Sequence, residues 1–223
     1  MKKYKVMITG TTGMVVRGVL NECLKDDSIE EIRLINRSSV GIDHPKIKEV
    51  LHADFLNLDE HQDFMRDMDA CFFCLGVSSF RMSEADYTRL TYDLTTHYAQ
   101  VFHSVNPEAC FTYVSGTGTD SSESGRVMWA RVKGRTENAL LELFPNAYMF
   151  RPGYIQPLDG IRSKTKLYDN MYRLFKLIYL VLRMFPSTAT NTRNVGKAML
   201  YVLKNGNELK ILSNSDINGL ATE

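Results

Sequence analysis

Several things are scarce in this chain. Tryptophan occurs once and cysteine four times in 223 residues, and no apolar run exceeds six residues, Leu177 to Leu182 being one of them. A membrane-spanning helix needs about 20 apolar residues in a row, so no transmembrane segment is expected. Neither sign of charge dominates: 27 Lys and Arg stand against 26 Asp and Glu, a formal net charge of +1. Without a global field, neither nucleic acid nor an anionic membrane is expected as a partner, leaving only a local basic patch open.

The start, Met1-Lys2-Lys3, has the charge of a signal peptide, but Val6-Met7-Ile8 is cut at once by Thr9-Gly10. Export is not expected, and the four cysteines read as reduced thiols of a cytoplasmic protein. Cys71 and Cys74 form a C-x-x-C inside Ala70-Cys71-Phe72-Phe73-Cys74-Leu75, an apolar run that reads as a buried strand rather than the opening of a redox helix. The histidines, His44, His52, His61, His97 and His103, are scattered, so no metal is expected. No Walker loop and no G-x-S-x-G elbow is present.

What is there fits one globular domain over residues 1–223, with 44% hydrophobic and 24% charged residues. A chain of this length buries roughly 70% of its unfolded surface and needs no disulfide or structural metal to complete a core. Short β-rich runs alternate with helical stretches, the pattern of βαβ units and a doubly wound parallel sheet. Strands are expected at Lys5 to Thr9, Glu31 to Asn36, Glu49 to Leu51, Ala70 to Leu75, Cys110 to Ser115, Ala147 to Arg151 and Leu209 to Leu212. Helices are expected at Met14 to Leu24, His61 to Met68, Glu84 to His103, Met128 to Phe144, Leu167 to Phe185 and Val195 to Lys204. The expected strand order is 3-2-1-4-5-6 with the last short strand at the edge. Residues 153–185 are read as a small helical insert on the substrate side.

The sharpest motif is Lys5-Val6-Met7-Ile8-Thr9-Gly10-Thr11-Thr12-Gly13-Met14, a strand running through a Gly-containing turn into a helix. Gly10 permits a tight turn, Gly13 lets backbone approach a pyrophosphate, and the helix start supplies oriented N–H groups. The third small residue of such fingerprints is replaced by Val16, and Gly18 points to another face of the helix. After the second strand comes Asn36-Arg37-Ser38 with no carboxylate at the strand tip. An acid there holds the ribose of NAD, whereas an Arg suits the 2′-phosphate of NADP, so NADP is the expected cofactor with Arg37 its main contact.

These residues accumulate with Asp54-Phe55, Cys74-Leu75-Gly76, Val114-Ser115, Lys133 and Phe150-Arg151-Pro152-Gly153 into an ordered series along nearly the whole chain. Together they resemble the atypical short-chain dehydrogenase/reductases, the branch grouped with NAD-dependent epimerase/dehydratase domains, and most of all the Tat-interacting oxidoreductase-like proteins. The resemblance implies a Rossmann fold and an oxidoreductase. It implies Gly10, Thr11, Thr12, Gly13 and Met14 at the pyrophosphate, Asp54 and Phe55 at the adenine, and Leu75 and Gly76 beside a ribose. Pro152 and Gly153 fall near the nicotinamide. Asp54 also reads as a turn residue or helix cap.

The superfamily works with a Ser, a Tyr and a Lys, the last two four residues apart on one helix face. Carried over, the Ser is Ser115 and the Lys is Lys133, but the Tyr position holds Trp129. An indole N–H only donates and cannot exchange a proton near neutral pH. Either Lys133, Ser115, Tyr113 or Tyr154 handles the proton, or the chain is a non-catalytic NADPH sensor or interaction module. The substrate is a small molecule of unknown identity. Leu167 to Phe185, with its apolar face and Arg173, Lys176 and Arg183, either closes the substrate side or meets a partner, a second copy included.

Overall fold

Alternate residues of the central strands enter two different cores. In a computed structural model that describes residues 2–10, 13–158 and 187–223, Val6 and Ile8 of β1 (Tyr4–Thr9) pack on one face of a sheet and Met7 on the other. A strand covered on both sides needs apolar residues at every position, which is why the sequence shows near-continuous runs.

In chain order, β1 leads to α1 (Met14–Lys25), β2 (Ile29–Asn36), β3 (Ile47–Leu51), a 3₁₀ turn (Asp59–His61), α2 (Gln62–Met65) and β4 (Ala70–Phe73). Then come α3 (Glu84–Thr88), a π-helical turn (Arg89–Asp93) and α4 (Leu94–Val105), which follow one another without a break. The second half holds β5 (Cys110–Val114), α5 (Met128–Leu143), β6 (Ala147–Arg151), β7 (Tyr154–Gln156), β8 (Ala189–Asn191), α6 (Thr192–Asn205), β9 (Ile211–Ser213) and α7 (Asn214–Leu220). The main sheet has seven strands in the order β3-β2-β1-β4-β5-β6-β9, and every neighbouring pair is parallel. The expected order and edge strand are those found.

Helices α1 and α6 cover one face, where Val16, Val19, Leu20, Val195 and Met199 meet Val6, Ile8 and Phe150. On the other face Tyr98 and Phe102 of α4 and Leu140 of α5 meet Phe73, Phe111 and Met149. Val16, the departure from the fingerprint, is fully buried in the first core, so its extra methyls fill space between helix and sheet. Gly18 serves a different contact: a Cβ there would lie 2.5 Å from Cβ of Thr192, so it sets how closely α1 and α6 approach.

Three features depart from expectation. No strand is expected within 153–185, yet β7 occupies 154–156 and pairs in parallel with β8, more than 30 residues on; local pattern carries no signal for so distant a partner. Helix α7 was not expected, although Ser213 and Asp216 form a reciprocal capping box at its start. The helix expected at His61 to Met68 is shorter, a 3₁₀ turn and a four-residue helix ending before Arg66. The expected helix at Leu167 to Phe185 lies outside the described residues, as do Thr11 and Thr12. Among the described residues no helix is long and apolar enough to cross a membrane.

Candidate functional site

At the carboxyl ends of β1, β2 and β4, an open cleft of about 470 Å³ is lined by Gly10, Gly13, Asn36, Arg37, Phe55, Cys74, Leu75 and Gly76. In an open parallel sheet this edge, where strand order reverses between β1 and β4, is where ligands settle. Gly10 has φ +85°, and a Cβ there would stand 2.9 Å from Cα of Leu75. Only glycine allows that turn and that approach. The Gly13 N–H donates to the Gly10 carbonyl at 2.8 Å, closing the turn, and α1 begins at the next residue.

Arg37 is exposed at the rim and has no ion-pair partner among the described residues. The loop that presents it is held from below. Glu49 of β3 accepts hydrogen bonds from Asn36 Nδ2 (2.7 Å), the Val40 N–H (2.9 Å) and the Ser39 hydroxyl (2.6 Å). The sequence has no acid at the tip of β2, but the structure brings one beneath it from the neighbouring strand and engages both its oxygens in the loop.

Asp54 is exposed and does not line the cleft; one carboxylate oxygen accepts the Leu56 N–H at 3.0 Å, the turn role that was one of its two readings. Phe55 beside it is buried and forms the cleft wall. Burial pushes the Cys74 thiol up to about 12 and the Cys71 thiol well above its usual range, and all four cysteines are unpaired. Neither thiol supplies the thiolate that a redox motif needs.

Further along the same edge, past β5 and β6, lies a second cluster. Ser115 follows β5, is buried, and gives its hydroxyl proton to Glu137 of α5. Glu137 is fully buried and takes Arg151 Nε at 3.1 Å from each of its oxygens, with Arg151 Nη2 adding a further bond. Lys133, one turn before Glu137, donates from Nζ to the Ser115 carbonyl. Its burial lowers the ammonium pKa to about 8, the Glu137 charge opposing part of that shift. Trp129, a further turn back, packs its ring against Gly118 in the β5–α5 loop. Pro152 and Gly153 continue from Arg151, the Pro152 carbonyl accepting the Thr117 N–H at 2.9 Å.

Thus Gly10, Gly13, Arg37, Phe55, Leu75 and Gly76 share one cleft, while Ser115, Lys133, Trp129, Pro152 and Gly153 gather at the ends of β5 and β6. Met14 is the first residue of α1. Asn36 and Cys74, quoted within motifs but given no role, are cleft walls, and Glu137, the hub of the second cluster, was not singled out from sequence. The signal for Glu137 was available: it continues the i, i+4 series Trp129, Lys133. Tyr113 is fully buried and its phenol is pushed up by desolvation, so it keeps its proton. The Tyr154 hydroxyl donates to Gln156 at 2.9 Å. His52 and His61, read as scattered, meet in space.

No family model matches the sequence. Protein HTATIP2 of Rattus norvegicus is 27% identical over 158 residues, covering 70% of this chain and 64% of that protein, which is less than two thirds of its length. Among solved structures, the Bordetella bronchiseptica enzyme WbmH in complex with NAD+ superposes with a TM-score of 0.65 at 14% identity, over 91% of this chain and 72% of WbmH. A dTDP-4-dehydrorhamnose reductase of Clostridium acetobutylicum gives a TM-score of 0.62 at 15% identity, over 93% and 72%. At such identity the structural likeness concerns the fold.

Proposed function

We propose that the chain is an NADP(H)-dependent oxidoreductase of the atypical short-chain dehydrogenase/reductase type, in which Trp129 replaces the superfamily's tyrosine and Lys133 handles the proton; its likeness to HTATIP2 supports the family. The observation that carries this reading is Lys133 itself, a largely buried ammonium at the ligand edge with its pKa brought down to about 8. A general acid works best when its pKa lies near the working pH.

The residues present fit the cofactor. Gly10 allows the tight turn and the close approach of the Leu75 backbone, and the start of α1 adds oriented N–H groups for the pyrophosphate. Thr11, Thr12 and Met14 complete that turn in our reading. The Arg37 guanidinium, with no ion-pair partner among the described residues, suits a 2′-phosphate. Phe55 would take the adenine with Asp54 at its edge, Leu75 and Gly76 the adenosine ribose, and Pro152 and Gly153 the nicotinamide side. When bound, the nicotinamide supplies or accepts a hydride, and any proton must come from the protein or water.

Ser115 has one hydroxyl proton and gives it to Glu137, so in this arrangement it cannot also polarise a substrate carbonyl. Lys133 has three N–H donors and spends one on the Ser115 carbonyl. The other two are available to the nicotinamide ribose and to a carbonyl oxygen. Residues 153–185 would border the substrate, a small carbonyl compound of unknown identity. Four unpaired thiols accord with a reducing cytoplasm.

The test uses the single tryptophan. Titration with NADPH and then NADH, exciting Trp129, should give saturable energy transfer to the nicotinamide, much tighter for NADPH. A panel of carbonyls and quinones should then reveal NADPH oxidation that Lys133→Met abolishes. Tight binding with an inert panel would replace this reading by the sensor, and equal affinities would remove the NADP preference.

A further inference from the structure

We propose that His52, Glu60 and His61 form a binding site for a divalent transition-metal ion of the zinc class, with three protein ligands and a position open to solvent. His52 follows β3 and His61 closes the 3₁₀ turn, nine residues later. The loop between them folds back so that His61 Nε2 lies 2.9 Å from His52 Nδ1. Glu60 Oε1 stands 3.4 Å from His52 Nδ1 and 3.5 Å from His61 Nε2. The three atoms make a nearly equilateral triangle. Ligands about 2.0–2.1 Å from a tetrahedral zinc are about 3.3 Å apart, so an ion at the apex fits once the nitrogen pair opens by a few tenths of an ångström.

The surroundings are those of a prepared ligand set. His52 Nε2 lies 2.7 Å from the Asp54 carbonyl, which requires the proton on Nε2 and makes Nδ1 an acceptor aimed into the triangle; it takes the His61 Nε2–H at 2.9 Å, a bond that metal binding replaces as the His61 proton moves to that ring's own Nδ1. Metal-bound histidines almost always have their second nitrogen anchored this way. Both backbones are also pinned, the His52 N–H to the Asn36 carbonyl at 2.8 Å and the His61 N–H to the Leu58 carbonyl at 2.9 Å. The rings meet edge to face, 81° apart, and both are mostly buried, whereas Glu60 is exposed and can swing inward. Two imidazoles and one carboxylate with an open fourth position favour zinc, cobalt or nickel over magnesium or calcium, which prefer all-oxygen sites. The site does not depend on the nucleotide reading. It borders it, because the pinned loop also carries Phe55, a wall of the cleft.

The full chain, stripped with a chelator, is titrated with Co²⁺ and with Zn²⁺ against a chromophoric competitor. One equivalent should bind, with the visible bands of low-coordinate cobalt and no near-ultraviolet thiolate charge transfer. His52→Gln and His61→Gln should each weaken binding about 100-fold and Glu60→Gln about tenfold. Glu60 is exposed, so its variant folds normally and keeps the test decisive if a histidine variant does not. Stoichiometric Zn²⁺ should also raise the urea midpoint of the wild type. No saturable binding, a thiolate spectrum from the cysteines, or unchanged affinity in Glu60→Gln and His61→Gln would overturn the proposal.

Discussion

The Ser115 hydroxyl donates to the fully buried carboxylate of Glu137, twenty-two residues later on the helix that also carries Lys133. A buried carboxylate is tolerated only when its lone pairs are engaged, and here Ser115 and Arg151 engage them. Glu137→Ala strands the Arg151 guanidinium. We expect a loss of about 3–5 kcal/mol in urea unfolding, the range for breaking a buried pair by removing one partner. The double variant Glu137→Ala/Arg151→Ala should lose less than the sum of the singles; additive losses would show that the pair is not coupled.

Lys133 gives a pH dependence of definite sign. Its folded pKa of about 8 lies below the ordinary lysine value, so between the two the unfolded chain binds more protons. Stability contributed by this group therefore rises as pH increases from about 8 towards 10. Below pH 8 both states are protonated and burial of the ammonium is a constant cost. Urea midpoints at pH 7.5 and 9.5 should show the rise in wild type and its absence in Lys133→Met.

The same titration governs catalysis if Lys133 is the proton donor. Carbonyl reduction should fall off as pH passes about 8, because the ammonium is lost. A flat profile for kcat between pH 7 and 9 would place the proton elsewhere.

Two glycines separate the cleft from the scaffold. Gly10→Ala forces a Cβ within 2.9 Å of Leu75 backbone at a left-handed φ, so it should cost about 1–3 kcal/mol and abolish nucleotide binding. Gly18→Ala wedges a methyl against Thr192 between α1 and α6, away from the cleft lining. It should destabilise by about 1–3 kcal/mol while leaving NADPH affinity near wild type once folded. Isothermal titration beside thermal unfolding distinguishes the two.

Arg37→Ala should weaken NADPH about 10- to 100-fold, the worth of hydrogen bonds to a charged group, and leave NADH nearly unchanged. Glu49→Gln should have a smaller effect in the same direction, because it loosens the Asn36 to Val40 loop that presents Arg37. The ratio of the two dissociation constants is the readout.

The sequence by itself determined the strands and the parallel βαβ arrangement, because continuous apolar runs and the strand–glycine–helix turn at Thr9-Gly10 are local signals; the strand order followed from the fold that the resemblance implied. It also marked Gly10, Gly13 and Arg37 by their places after β1 and β2, while Phe55, Leu75 and Gly76 came with the family resemblance, and all six line one cleft at the carboxyl edge of the sheet. What only tertiary structure decided involves partners far apart in the chain. Glu137 reaches Ser115 and Arg151, Glu49 reaches the loop after β2, β7 finds β8, and His52 meets His61 across a folded turn. The i, i+4 spacing puts Glu137 on the face of Lys133, but none of these pairings has a period or a fixed spacing that names the partner. A buried charge or an imidazole pair is specified by the space that the other elements leave, and that space exists only once the sheet and its helices have packed.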